Sequence, residues 1–248
     1  MNKTIYFIRH GESTANAGGI TMEHSAIPLS DKGLQQAHDI ANMLNVEPAL
    51  VLASEFIRTH QTAQPFCTKH QMSLQVQPLL NEFSAISHEL IAGMAGAQRR
   101  PIADAFWARA DVNQRMGVVA DTFLEFNQRV SQFIAEMTHL PHQTVIFGHG
   151  IWLGLLVWRL MGFEYQDSNS MKAFRNFQTS LPMHNGVIYT LSSQHNQPWT
   201  VQLAVSPHHQ TPSKTPQVFM EALEDLALNA LADARANESV IQVSLNHI

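Results

Sequence analysis

Short apolar runs that stop at reactive side chains constrain this chain more than any other feature. Ile5-Tyr6-Phe7-Ile8 ends at Arg9-His10-Gly11, and Val145-Ile146-Phe147 ends at Gly148-His149-Gly150. Val51-Leu52-Ala53 leads into Ser54-Glu55-Phe56-Ile57-Arg58, and a later run ends at Leu80-Asn81-Glu82. Runs this short, bounded by polar residues, suit buried strands better than helices. In open α/β sheets ligands bind at the carboxyl ends of the strands. Two arginines, two histidines and a glutamate at or just beyond those ends therefore predict one polar site on one sheet edge.

Between the runs the period changes from two to 3.6. Leu34, Ala37, Ile40, Ala41 and Leu44 share a helical face, with Ser30 placed as N-cap. Strands are expected at Thr4–Ile8, Ala49–Ala53, Leu74–Val76 and Thr144–Phe147, and helices from Thr59 onward and over Ile151–Leu160. Pro65 should bend the first of these helices. Val187–Leu191 and Thr200–Ala204 form a late hairpin around a polar turn with Asn196 and Pro198. Strand–helix alternation predicts a three-layer α/β/α fold with a mostly parallel central sheet. From about 83 to 141 the alternation stops. There the helical spacing of Phe123, Phe126, Val130, Phe133, Ile134 and Met137 indicates a helical insertion. Arg99, Arg100, Arg109, Arg115, Phe106 and Trp107 make it rich in arginine and aromatics.

The chemistry of the first motif is that of an anion site. A guanidinium beside an imidazole suits phosphate, because two parallel N–H bonds match its oxygens. Gly11 would allow a close backbone approach to the anion. With Ser54-x-x-x-Arg58-x-x-Gln61-Thr62-Ala63 and Gly148-His149-Gly150, Arg9-His10-Gly11 resembles the histidine phosphatase superfamily, which also contains the phosphoglycerate mutases. The resemblance covers roughly residues 3–205, a catalytic domain of residues 1–205 with a cap insertion at about 83–141.

The resemblance implies roles. His10 is the nucleophile that becomes phosphorylated. Arg9 and Arg58 hold the nonbridging oxygens, where they offset charge spread over them in a loose transition state. His149 is a further donor, the Gly150 backbone N–H faces the phosphate from the start of a helix, and Asn16 adds an amide donor. Glu82, in the Leu-x-Glu pattern, is the proton donor to the leaving alcohol, with Glu12 and Glu89 as rivals. The insertion is a cap over the active site that shapes substrate choice. No metal and no cofactor are expected, since the arginines perform the neutralisation a metal would.

Phosphatase and mutase remain the two enzyme readings. The mutases carry a Trp-Arg-Arg segment and a Gly-Trp-x-Asp-like stretch. Here Gly18–Ser25 departs from the second, and Arg99-Arg100 precedes Pro101. The segment Ala120–Val130 looks like that of the phosphatase branch. The expectation is a phosphomonoester hydrolase, with a phosphoglycerate mutase-like phosphotransferase second and a noncatalytic phospholigand-binding module third. The substrate is a small phosphorylated molecule, with a phosphoprotein as the variant.

Composition narrows the partners. The 248 residues are 45% hydrophobic, enough for a sizeable core, and the net charge of −5 implies no general nucleic-acid surface. Cys67 is the single cysteine, so no intrachain disulfide forms. Ile5–Ile8 is too short for an apolar targeting core, and no apolar stretch approaches the ~20 residues that span a bilayer. No membrane partner and a cytoplasmic location are therefore expected. Residues 206–248 read as a proline-containing linker followed by an amphipathic helix through Phe219, Leu223, Leu226, Ala230, Leu231 and Ala234. Such a helix is marginal alone. Its stripe is expected to dock on the chain's own body or, second, on another subunit in a homodimer. His24, His88 and His184 read as polar surface residues.

Overall fold

A computed structural model describes residues 2–163, 165–194 and 197–205. The predicted linker and tail helix at 206–248, and Asn196 of the predicted turn, lie outside the described residues.

The strands are β1 (Lys3–Arg9), β2 (Leu50–Ala53), β3 (Leu74–Val76), β4 (Thr144–Gly148), β5 (Ile188–Ser193) and β6 (Thr200–Val205). They form one sheet in the order β3-β2-β4-β1-β5-β6. β1, β2, β3 and β4 pair in parallel, whereas β5 runs antiparallel to both β1 and β6. The sheet is thus mixed, with β5 alone opposed to the rest. The late hairpin accounts for the opposition of β5 and β6, because two strands joined by a short connection run antiparallel.

Side-chain alternation explains the layers. Ile5, Phe7, Leu52 and Ile146 join one core cluster, and Ile8, Val51, Ala53, Val145 and Phe147 join the other. Successive residues of a strand point to opposite faces, so both faces of the central strands are apolar and both must be covered. Helices α1 (Asp31–Met43) and α2 (Ile57–His70) supply Ile40, Ala41, Ala63 and Phe66 to the second cluster. The first cluster is covered by α4 (Gly96–Arg109), α5 (Phe123–Met137), α6 (Gly150–Leu160) and α7 (Ser168–Ser180), with the single turn α3 (His88–Ile91) also in the insertion. Among the described residues no helix is long and apolar enough to cross a membrane.

Local expectations meet the structure with three differences. Ser30 caps α1, its hydroxyl accepting the Gly33 N–H at 3.1 Å. Leu34, however, is 43% exposed, and Gly33 and Gln36 take the inward positions. The backbone of Glu12 crosses there: a Cβ on Gly33 would lie 2.0 Å from the Glu12 carbonyl oxygen. α2 continues through Pro65 to His70. α7 has no counterpart in the sequence reading. Its start is an Asp167–Ser170 capping box, and only Met171, Phe174, Ser170 and Gln178 turn inward. Two inward hydrophobes among serines and asparagines give a weak periodic signal.

The insertion is structurally part of the core. Phe106, Phe123, Phe126, Val130 and Phe133 are buried in the same cluster as Phe7 of β1. Trp152 of α6 stacks on Phe7 at 5.4 Å and meets Phe133 of α5 edge-on at 5.1 Å. Removing Phe133 should therefore weaken the whole molecule. Phe133→Ala is expected to cost about 3–5 kcal/mol and to lower the midpoint of one cooperative unfolding transition. Two separated transitions in calorimetry would show instead that the insertion melts on its own.

Candidate active site

The parallel register sets the site. Arg9 pairs with Gly148 across β1 and β4, and Ala53 of β2 pairs with Phe147. The three strands therefore end within one residue of one another, and the next residues, His10, Ser54 and His149, emerge at the same sheet edge. His10 and His149 lie with ring centroids 5.2 Å apart.

His10 is buried, and its Nδ1 lies 2.7 Å from the Gly11 carbonyl oxygen. A carbonyl only accepts, so Nδ1 carries the proton and Nε2 keeps its lone pair. That lone pair accepts the Arg58 Nε–H at 3.2 Å. Burial, then Arg58 and Arg9, hold the His10 pKa well below its ordinary value, while the Gly11 bond acts the other way. The ring is neutral at physiological pH, the state in which an imidazole nitrogen can attack.

The two arginines are held by backbone oxygens. Arg58 Nη1 donates to the His24 carbonyl at 2.7 Å, and Arg9 Nη1 donates to the Met183 carbonyl. Burial lowers the Arg58 pKa to about 10, partly offset by Glu82, so the guanidinium stays charged at neutral pH. The Arg9 side chain packs on Gly150, where an added Cβ would stand 3.2 Å from Arg9 Nε. Arg9 Nε is buried and has no protein partner. Gly11 is used differently from expectation. Its Cβ would meet the Gly33 carbonyl at 2.6 Å, so its close approach is to α1 and not to a ligand.

His149 is fully buried behind the cleft and is not among the residues that line it. Its Nε2 lies 2.8 Å from Ser54 Oγ, and Arg58 Nη2 lies 3.4 Å from its Nδ1. The hydroxyls decide the tautomer. Thr59 Oγ1 donates to the Phe56 carbonyl at 2.7 Å, so Ser54 donates to Thr59 at 3.0 Å and accepts from both the Phe56 N–H and His149 Nε2. His149 Nδ1 therefore accepts from Arg58 in the free protein. Burial and Arg58 push its pKa well down, with His10 and Arg9 adding to this.

Glu82 follows the 3-10 turn Pro78–Leu80 and lines the cleft. Its Oε1 accepts the Trp152 N–H at 2.9 Å and the Phe83 N–H at 3.0 Å, and its Oε2 accepts the Ile151 N–H at 3.1 Å. It thus caps the start of α6 from outside. Burial raises the carboxyl pKa, while the backbone donors and both guanidinia oppose the rise. Glu12 and Glu89 are elsewhere: Glu12 pairs with Lys32 at 2.9 Å, and Glu89 accepts the Val118 N–H. Neither lines the cleft.

The cleft is about 460 Å³, with Arg9, His10, Arg58, Glu82 and Gly150 at its base. Asn16, also a lining residue, has its Oδ1 bonded by the Ser13 N–H and by Asn185 Nδ2, which leaves its NH₂ to donate. The walls are Ser13, Ala15 and Ile27 on one side, and Gln178 and Thr179 of the last turn of α7 with Leu181, Met183 and His184 beyond it on the other. No residue of 83–141 is among them. The insertion expected over the site acts instead through Arg99, whose guanidinium bonds Ala15 O, Gly19 O, Thr21 Oγ1 and Met94 O at 2.6–3.2 Å.

Several working residues escaped the sequence reading. His24 contributes its carbonyl, and Asn185 donates to His10 O at 3.1 Å and Gly11 O at 3.2 Å. His24 is also more than a surface residue, since its ring Nδ1 lies 3.3 Å from Ser84 Oγ. Backbone acceptors leave no mark on a sequence. Ser54, Gln61 and Thr62 did leave one, because they stand in the quoted motif. Gln61 accepts the Leu29 N–H at 2.8 Å and Thr62 accepts the Gly11 N–H at 3.0 Å.

A neutral histidine between two anchored guanidinia, with a carboxyl group on the same cleft, defines a phosphoryl-transfer site. Residues 5–204 match the model of the histidine phosphatase superfamily (branch 1), and the chain belongs to that family. It is 31% identical over 161 residues to the adenosylcobalamin/alpha-ribazole phosphatase of Escherichia coli (strain K12), a match covering 64% of this chain and 79% of the relative. It is 26% identical over 169 residues to the "Probable phosphoglycerate mutase GpmB" of Yersinia pestis (strain Pestoides F), covering 64% and 74%. Among solved structures, the alpha-ribazole phosphatase of Shigella flexneri superposes with a TM-score of 0.64 at 25% identity, covering 85% of this chain and 100% of that one.

Two outcomes follow from this geometry. His10 and His149 are buried neutral, so below the ordinary histidine value of 6.5 the unfolded chain binds protons that the folded chain refuses. Stability should fall as pH drops below that value, by up to about 1.4 kcal/mol per pH unit per ring. Glu82, with its raised pKa, works against this trend nearer its ordinary 4.5. Urea unfolding at pH about 7.5 and about 5.5 should show the loss, and His149→Asn should make it shallower; a slope unchanged by the substitution contradicts the buried neutral ring. Separately, Arg99→Ala should free the loop that carries Asn16. KM is expected to rise about tenfold while kcat changes less than about threefold. An unchanged KM would separate Arg99 from the site.

Proposed function

We propose that this chain, a phosphoric monoester hydrolase by family, hydrolyses small phosphomonoesters through a phosphohistidine on His10. The observation that carries the reading is the His10 tautomer: Nδ1–H is fixed on Gly11 O and Nε2 presents its lone pair beside Arg58. Nε2 attacks phosphorus, and the ester oxygen leaves with a proton from the Glu82 carboxyl. Arg9 and Arg58 offset charge on the nonbridging oxygens, and Asn16 Nδ2 and the Gly150 N–H add neutral donors. A dianion bound there raises the His149 pKa, so that Nδ1 can take a proton and donate. Water then attacks the phosphohistidine, Glu82 takes its proton, and phosphate leaves.

The cleft supports hydrolysis over transfer to a second substrate. Asn16, Thr179 and His184 on its rim are exposed, so water reaches the base. Its walls offer amide, hydroxyl and apolar groups, and Arg9 and Arg58 are its only arginine or lysine lining among the described residues. This favours an uncharged alcohol over a phosphoglycerate, whose carboxylate needs a cation of its own. The volume suits a small molecule better than a folded phosphoprotein. A cytoplasmic location belongs to the same reading. The mutase reading is favoured by the name of the Yersinia relative alone, and the noncatalytic reading by no observation.

Glu82→Gln tests the acid role. It should cut the rate of phosphoenzyme formation from an alkyl phosphate by ~10²-fold or more, because an alkoxide leaves poorly without a proton. Formation from p-nitrophenyl phosphate should fall far less. The glutamine NH₂ also faces an α6 N–H, so the melting temperature should drop. Rapid quench at neutral pH with mass analysis should find phosphate on His10. Label on a serine or aspartate, or equal burst losses with both esters, would overturn the scheme.

A further inference from the structure

The segment Ala120–Val130 contains a charge pair that the scheme above leaves unused. Arg129 of α5 and Asp121 make a two-bond fork: Nη1 to Oδ1 at 3.0 Å and Nη2 to Oδ2 at 2.8 Å. Both side chains are mostly covered, at 19% and 21% exposure. A partly buried ion pair is a weak source of stability, so its geometry says more about what it holds than about what it contributes.

The fork grips the backbone on the far side of Glu82. Arg129 Nη2 also donates to the Glu82 carbonyl oxygen at 3.2 Å. Asp121 Oδ2 accepts the Ser84 N–H at 3.0 Å, and the Asp121 N–H donates to the Ser84 carbonyl at 2.8 Å. The residue between, Phe83, stacks on Phe126 at 4.7 Å, and the Arg129 guanidinium lies 5.3 Å from the Phe126 ring centre. At the other end the Glu82 carboxylate takes the α6 N–H groups of Ile151 and Trp152. Glu82 is thus tied at its carbonyl by α5 and at its carboxylate by α6, with little freedom left for the side chain between.

We propose that Asp121 and Arg129 are positioning residues for the proton-transfer step, setting where the Glu82 carboxyl meets the leaving oxygen. The proposal rests on the reading of Glu82 as proton donor. Neither residue lines the cleft, so neither touches substrate. Their effect reaches the reaction through one peptide unit, and it falls on those substrates whose leaving oxygen needs the proton.

Arg129→Lys and Asp121→Asn test this. Lysine keeps the charge but has no fork, and asparagine keeps an acceptor for the Ser84 N–H without the ion pair. Burst rates are measured with an alkyl phosphate and with p-nitrophenyl phosphate, beside Glu82→Gln and beside melting temperatures. Displacing a catalytic group by a fraction of an ångström should lower the alkyl burst about 10- to 100-fold and the aryl burst less than about threefold, with KM within about twofold. A purely structural pair would lower the melting temperature and both bursts alike. Equal losses, or none, while Glu82→Gln remains selective would overturn the positioning role and leave the acid role standing. Loss of selectivity in Glu82→Gln itself would overturn both. If Arg129→Lys does not fold, Asp121→Asn is read by the same criteria.

Discussion

The site depends on one buried cation. Arg58 touches both histidines and is fixed by the His24 carbonyl, with Arg9 close enough to lower its pKa further. A guanidinium taken out of water is costly unless its charge is compensated. Glu82 compensates in part, but two cations face one carboxyl. The remaining positive charge at the base of the cleft is what makes a phosphate dianion a favoured occupant. Burial, and then this charge, make both imidazoles poor bases, which keeps His10 neutral, as the attack proposed for it requires. Anion binding and nucleophile activation are therefore two consequences of the same placement.

That placement is legible in the sequence because one segment builds it. Ser54 orients His149, Arg58 faces His10, Gln61 ties down the Leu29 N–H, Thr62 ties down the Gly11 N–H, and Ala63 lets α2 pack on the sheet. Each residue type follows from a bond or a contact at its turn of α2. The motif is dense because α2 is the element that crosses beneath both catalytic strand ends. The sheet was legible for a similar reason: every central strand is apolar on both faces, and the reactive residues mark where each strand stops.

The remainder was not legible, and the reasons are physical. α7 buries only Met171 and Phe174 of its hydrophobic residues, because its inner face meets a cluster already filled by Trp158 and Trp107. Yet the end of α7 and the chain just beyond it form one wall of the cleft. The break in strand–helix alternation marks the insertion, and the family resemblance implies a cap over the site. The insertion's aromatics turn out to pack against Phe83, Trp152 and one another, and Arg99 is the side chain that ties it to the cleft loop. Helical spacing reports that these aromatics need burial, but not which face of the sheet buries them. Carbonyl contacts such as those of His24 and Met183 depend on backbone path alone.

Glu82 shows how fold and chemistry share a residue. As the cap of α6, its carboxylate is favoured by three backbone N–H groups and by the positive end of the helix. As an acid it needs its proton, and burial supplies the opposing pressure. A group held by only one of these forces would stay ionised or stay protonated. Held by both, it is suited to the exchange proposed for it, a proton given to the leaving oxygen and one taken back from water. The helix that would otherwise lose its cap when Glu82 is protonated keeps two acceptor oxygens nearby. For that exchange to occur without unravelling the turn, the backbone at Glu82 must stay still. The ties from Arg129 of α5 to the Glu82 carbonyl and from Asp121, just before α5, to the Ser84 N–H hold it there, and both come from the insertion.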